Sequence, residues 1–341
     1  MAWGFQTSNQ GRHVDTKIEQ IPKIPQGLRD AAQQGVLIPF VGAGASRLAG
    51  SPGWDGFADG ALCQLIGRGR LSYAEVEQLR GLSPRVKLSL ARAFAERFNQ
   101  DIKYSELLRN NSHQKKIGDR LYTALARLGK TFVTTNYDEW LDDMIIQNVT
   151  GVTRVVGQSQ STTAPEAMRV VYKAAELTYA NLDCPYTVIH LHGSVKDPDN
   201  MILTTGDYVR HYANDRNRVE NQVLTFLNNL FTRRTVLFVG YGLEEHELLE
   251  QIIIKERPAS GIDGISVQHY LLQGFFSHEL KLMEHLSSYY MNECGIELLP
   301  FLRDDKDHEQ LVDVLENFAE QTPASSPMVL QELIDMEHLL Q

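Results

Sequence analysis

Two short apolar runs, each closed by a glycine, constrain this chain more than any other feature. Residues 36–41 read Val-Leu-Ile-Pro-Phe-Val between Gly35 and Gly42, and residues 235–239 read Thr-Val-Leu-Phe-Val before Gly240. Runs this short and unbroken read as strands buried on both faces, the kind that parallel sheets use. Pro39 is awkward inside the first, since it donates nothing to a ladder. Residues 131–135, 187–191, 267–272 and 296–301 are further strand candidates, with a weaker one at 201–204. Between 150 and 185 the pattern is mixed, with strand candidates at 152–156 and 168–172 around a Gln/Ser/Thr-rich loop.

Helical spacing fills the intervals. Residues 26–35 put Leu28, Ala31 and Ala32 on one face. Residues 54–128 carry Leu79, Val86, Leu90 and Phe94, then Leu121, Leu125 and Leu128, all at helix-compatible spacings. The pattern predicts further helices over 215–232, 244–255 and 278–294. Buried strands alternating with helices predict an α/β fold: a Rossmann-like, mostly parallel sheet flanked by helices. The helical stretch at about 55–128 reads as a layer inserted between the first two strands. Residues 1–25 form an N-terminal arm ending at Pro22 and Pro25, and 26–320 form one domain. Residues 321–341 read as a linker and a short helix, with Leu330, Leu333 and Ile334 free to dock on this chain or a neighbour.

Composition narrows the class. With 341 residues, 43% of them hydrophobic and 22% charged, the chain has material for a large core without disulfide or metal staples. The net charge of −10 argues against a nucleic-acid binder, whose affinity rests on Lys and Arg. No apolar run reaches the length of a bilayer, and residues 1–20 lack the apolar stretch of a signal peptide, so a cytoplasmic protein is expected. Cys63, Cys184 and Cys294 are too scattered for a disulfide framework or a structural zinc site, and no metal is expected.

Four polar constellations stand at strand ends. Gly42-Ala43-Gly44-Ala45-Ser46 follows the first strand, where glycines let backbone amides approach a pyrophosphate; a tight turn closing the strand is the plainer reading. Asn136 and Asp138 follow residues 131–135, where open α/β sheets bind ligands, and where such residues also simply cap helices. In His190-Leu191-His192-Gly193, alternation puts both histidines on one face. His192, at the strand's end, suits a base near neutral pH, whereas His190 reads as structural. Gly240-Tyr241-Gly242 makes a second glycine turn after a buried strand, equally open to a structural reading.

In order, Gly42-Ala43-Gly44-Ala45-Ser46, Thr135-Asn136-Tyr137-Asp138, His192-Gly193 and Gly240-Tyr241-Gly242 resemble the sirtuin-like superfamily, over roughly residues 35–302. The resemblance implies that 26–320 is an NAD-binding domain with NAD as substrate. Gly42, Ala43, Gly44 and Ser46 would line the pyrophosphate and ribose, and Gly240, Tyr241 and Gly242 would approach the adenosine end. Asn136 and Asp138 would hold the nicotinamide ribose and orient the attacking species, with His192 as catalytic base. Protein-deacylating sirtuins usually carry a four-cysteine zinc module and a Pro-Asp-Phe-Arg loop; this chain has neither, and reads Pro52-Gly53-Trp54-Asp55-Gly56-Phe57 after the glycines. That wording, with Trp54 at the cofactor site, resembles the bacterial antiphage-defence branch that degrades NAD.

The resemblance therefore implies an NAD glycohydrolase that releases nicotinamide and ADP-ribose. A zinc-free protein deacylase and a non-catalytic NAD or ADP-ribose sensing module are the competing readings. Uncontrolled loss of NAD would harm the host cell. A homo-oligomer is therefore expected, with a separate partner such as a HerA-like ATPase and no direct contact with nucleic acid or membrane.

Overall fold

β1, Leu37–Val41, is buried at every residue, as a central strand covered on both faces must be. The computed structural model describes residues 17–108, 114–150, 169–213, 221–242 and 269–322. Six more strands follow: β2 Thr131–Thr134, β3 Arg169–Val171, β4 Thr187–His190, β5 Thr235–Val239, β6 His269–Phe275 and β7 Ile296–Leu302. All pair in parallel, in the order β3-β4-β2-β1-β5-β6-β7. This is the expected Rossmann-like sheet flanked by helices.

The period-two alternation of the strands feeds two cores. Leu37 and Val41 of β1, with Leu237 and Val239 of β5, pack under the helices Gln26–Gln33, Lys115–Leu128 and Gln310–Gln321. Ile38, Phe40, Val236 and Phe238 point the other way, onto Gln222–Arg233 and Leu280–Tyr289. Pro39 is tolerated because the register of β1 with β2 begins only at Phe40. Gly129 leaves space for its ring, since a Cβ there would stand 2.6 Å from the Pro39 Cδ.

Between β1 and β2, the helices Trp54–Gly67, Pro84–Arg97 and Tyr104–Leu107 surround a third core containing Phe57, Leu62, Leu65, Leu88 and Ala91. Lys115–Leu128, in the same stretch of sequence, packs instead on the sheet. Residues 17–25 run irregularly along the β7 edge, where the Leu302 amide donates to the Glu19 carbonyl at 2.9 Å.

The weak strand expected at 201–204 does not form. Met201 and Leu203 are buried in the third core, and Thr204 caps the helix Thr205–His211, so this apolar stretch is a packed loop. The helix expected over 278–294 is α-helical only over Leu280–Tyr289 and finishes as a π-turn, Tyr290–Cys294. The candidates at 152–156 and 244–255, the start of the helix at 215, the arm before residue 17 and the C-terminal helix lie outside the described residues.

Candidate functional site

The strand order reverses between β1 and β5, and two glycine turns meet there. The Gly42 amide donates to the Val239 carbonyl at 2.9 Å and the Gly44 amide to the Gly240 carbonyl at 2.8 Å. Gly240 has φ +60°, and a Cβ on it would stand 2.4 Å from the Ala45 nitrogen. Only glycine meets both demands. Gly240→Ala is expected to cost about 2–4 kcal/mol, read as a fall in unfolding free energy; a loss near zero would refute the interlock.

Above these turns opens a cleft of about 760 Å³, walled by Ala43, Gly44, Trp54, Gly240, Tyr241 and Gly242 among others. Open α/β sheets bind ligands at this reversal, and the volume suits a nucleotide-sized molecule. Tyr241 is anchored away from solvent, its ring centroid 5.2 Å from that of Phe40 and 5.8 Å from that of Phe238.

A recess of about 30 Å³ adjoins the cleft and shares its walls at Ala43, Gly53, Trp54 and Thr135; Ser46, Asn136 and Asp138 complete it. Its polar wall is built locally. The Thr134 hydroxyl donates to the Val41 carbonyl at 2.8 Å and accepts the Asn136 amide at 3.0 Å, turning the chain at the end of β2. Asn136 Nδ2 then reaches the Gly42 carbonyl at 3.0 Å and Ser46 Oγ at 2.8 Å. Ser46 donates to Asp138 Oδ2 at 2.6 Å, and the Tyr122 hydroxyl lies 3.3 Å from Ser46 Oγ. Asp138 also takes the Trp140 amide at 3.3 Å, so it caps the next helix while facing the recess. Burial pushes the Asp138 carboxyl up and the Tyr122 phenol well up, the latter also repelled by Asp138. Tyr137 ties this turn to the helical insertion: its hydroxyl donates to the Ile202 carbonyl at 2.6 Å, and its ring lies against Trp54 and Phe57.

The two histidines part company. β4 ends at His190, and Gly193 at φ +81° turns the chain, so strand alternation does not extend to His192. His190 Nδ1 lies 2.8 Å from the Asn136 carbonyl and Nε2 lies 2.9 Å from Asp142 Oδ1. Both partners only accept, so both ring nitrogens carry protons and the ring is an imidazolium. Burial opposes that charge; the bond to Asp142 and its field outweigh burial and raise the pKa of His190. Lys196 Nζ, 3.3 Å from Asp142 Oδ2, shares the same carboxylate. The residue read as structural thus grips the backbone of Asn136.

His192 is fully buried and lines neither cleft nor recess. Its Nε2 lies 2.7 Å from the Tyr212 hydroxyl and its Nδ1 3.3 Å from that of Tyr208, with the His211 ring 5.9 Å away. Burial, then His211 and Arg85, hold its pKa well below 6.5, so it is neutral. The sequence reading missed this aromatic cage and the helix that supplies it. The available signal was Thr204-x-x-Asp207, a capping box, in which the Asp207 amide donates to Thr204 Oγ1 at 3.1 Å and Asp207 Oδ2 accepts the Thr204 amide at 2.9 Å.

Residues 130–298, just under half of the chain, match the SIR2-like domain family. The matched span runs from β2 into β7 and holds Asn136, Asp138, His192 and the second glycine turn; Gly42 to Ser46 precede it. A solved structure described as "Structural Basis for the Mechanism and Regulation of Sir2 Enzymes" is similar at 11% identity and a TM-score of 0.35, over 87% of this chain and 98% of that one. Residues 130–298 are thus similar to SIR2-like domains, which supports the resemblance to the sirtuin-like superfamily.

Proposed function

We propose that the chain binds NAD along the cleft and hydrolyses the bond between nicotinamide and ribose, releasing nicotinamide and ADP-ribose. The SIR2-like family uses NAD. The observation that carries the reading is the place where the cleft meets the small recess, with Trp54 on the shared wall and Asn136, Ser46 and Asp138 in a recess of about one water's volume. An aromatic face and a set of fixed polar groups suit the nicotinamide end of a dinucleotide whose pyrophosphate lies over the glycine turns.

Breaking this bond needs little from a nucleophile, because nicotinamide leaves as a neutral ring. The site must stabilise positive charge growing on the ribose carbon and bring in a water. Asp138 supplies negative potential once ionised, and Asn136, clamped by its own backbone carbonyl, directs the water or the ribose hydroxyls. His192 is the base in this reading, kept neutral by burial. Tyr212 must turn aside before a substrate reaches Nε2.

In this reading the biological role is depletion of NAD in the cytoplasm during antiphage defence, by an oligomer controlled by a separate partner such as a HerA-like ATPase. The enclosure of His192 favours a second reading, a module that senses NAD or ADP-ribose without turning it over.

The deciding experiment is to incubate the purified protein with NAD and quantify nicotinamide and ADP-ribose by chromatography. Equimolar release of both, with no peptide present, is the expected result. Binding of NAD with neither product formed would replace the hydrolase by the sensor. Release that requires an acyl-lysine peptide would replace it by a deacylase.

A further inference from the structure

Two arginines and a histidine converge on the wall of the cleft. Arg47 comes from the helix Ala43–Leu48, Arg303 follows β7, and His308 stands in the turn Asp307–Glu309. Arg303 is fixed in place. It lies across Gly274, where a Cβ would stand 2.6 Å from its Cδ. Asp307 Oδ1 takes its Nε at 2.9 Å and its Nη2 at 2.5 Å, and its guanidinium carbon sits 4.4 Å from the centre of the Phe276 ring.

The imidazole of His308 reports how close the group is. Burial lowers its basicity first and Arg303 next; Asp307 opposes them and Arg47 lowers it again, so it stands within the field of all three. The acid in the same wall, Asp55, faces Lys87 at 3.4 Å. Asp307 is engaged by Arg303. Burial and the two guanidiniums keep the imidazole neutral, and a bound anion would offset the guanidinium field and let His308 take a proton.

Position says which anion. Neighbouring strands lie about 4.8 Å apart, so Arg303 at the end of β7 stands roughly 14 Å from β1 and the glycine turns where a pyrophosphate rests, while Arg47, on the helix after the first turn, lines the same wall. Between them, in the cleft wall, Gln273 keeps a buried Oε1 that has no hydrogen-bond partner. A buried acceptor of this kind wants a donor, such as a nucleoside hydroxyl or amino group. The nucleoside end of the ligand therefore lies over β5 and β6, and these three side chains stand at its rim. In dinucleotide folds an arginine at the adenosine ribose takes a 2′-phosphate.

We propose that Arg47, Arg303 and His308 form a binding site for a phosphate group on the adenosine ribose, so that the preferred substrate class is the 2′-phosphorylated dinucleotide, NADP, over NAD. The inference rests on the reading that this cleft holds a dinucleotide. It assigns these side chains to a phosphate outside the pyrophosphate.

The test measures nicotinamide release from NADP and NAD, and calorimetric binding of 2′-phospho-ADP-ribose and ADP-ribose, for the wild type, Arg303→Gln and Arg47→Gln. Thermal melts check that the variants fold. The expected result is a preference of about tenfold or more for each phosphorylated ligand, shrinking toward parity in both variants and at raised salt. Cleavage of NAD with no preference for NADP would overturn this inference and leave the hydrolase standing. Equal losses for both dinucleotides in the variants would also overturn it, because the arginines would then serve the pyrophosphate. Binding of neither dinucleotide would sink both readings.

Discussion

His190→Ala is expected to cost the fold about 3–5 kcal/mol, because it strands the charge of Asp142 in a fully buried site. The only other described cation on that carboxylate, Lys196, is partly exposed and 3.3 Å away, too weak a partner to compensate. Denaturant unfolding measures the loss; a change under about 1 kcal/mol would mean that the pair is not charged. The sign of the pH dependence follows from the raised pKa. The folded ring holds its proton more tightly than the unfolded one, so the contribution is complete below the ordinary value of 6.5. It is surrendered as pH rises through the higher folded value, and the melting temperature should fall on the alkaline side. Pairing His190→Gln with Asp142→Asn keeps a donor toward the Asn136 carbonyl without any buried charge. That double variant should recover most of the stability and lose the pH dependence.

Asn136→Ala should lower the rate of NAD cleavage about 10²–10³-fold, the scale seen when a preorganised polar group is removed from a reacting centre. The affinity for ADP-ribose should fall far less than the rate, because most of the cleft wall along β5 and β6 is untouched. Losing the bonds of Nδ2 to Gly42 and Ser46 should cost the fold about 1–3 kcal/mol. A folded variant with full turnover would remove Asn136 from the mechanism. A variant that binds ADP-ribose no better than an unrelated protein would mean that the residue shapes the cleft and does not act on the bond.

The parts of this molecule written in local pattern were readable without coordinates. Four unbroken apolar residues before Gly240 can hardly be anything but a buried strand, and polar Asn136 and Asp138 directly after β2 stand beside the recess. What depends on elements far apart in the chain was not readable. His190 and His192 are two residues apart and of one type. One meets Asp142 in the helix after β2, and the other meets Tyr208 and Tyr212 in and after a helix that ordinary periodicity does not announce. Nothing in the spacing distinguishes them. Residues 201–204 misled because an apolar stretch buried under neighbouring helices looks like a strand on paper. Arg47, Arg303 and His308 lie far apart in the sequence, and only the folded sheet gathers them on one wall.

The contact between Gly44 and Gly240 also sets a schedule for synthesis. The floor of the cleft needs a turn made early in translation and its mate made much later, after four of the seven strands and the whole helical insertion have left the ribosome. A nascent or prematurely terminated chain that ends before residue 240 lacks the second wall, however well its first half has collapsed. The cleft is therefore complete only when most of the chain is in place, so fragments of the chain lack the whole site.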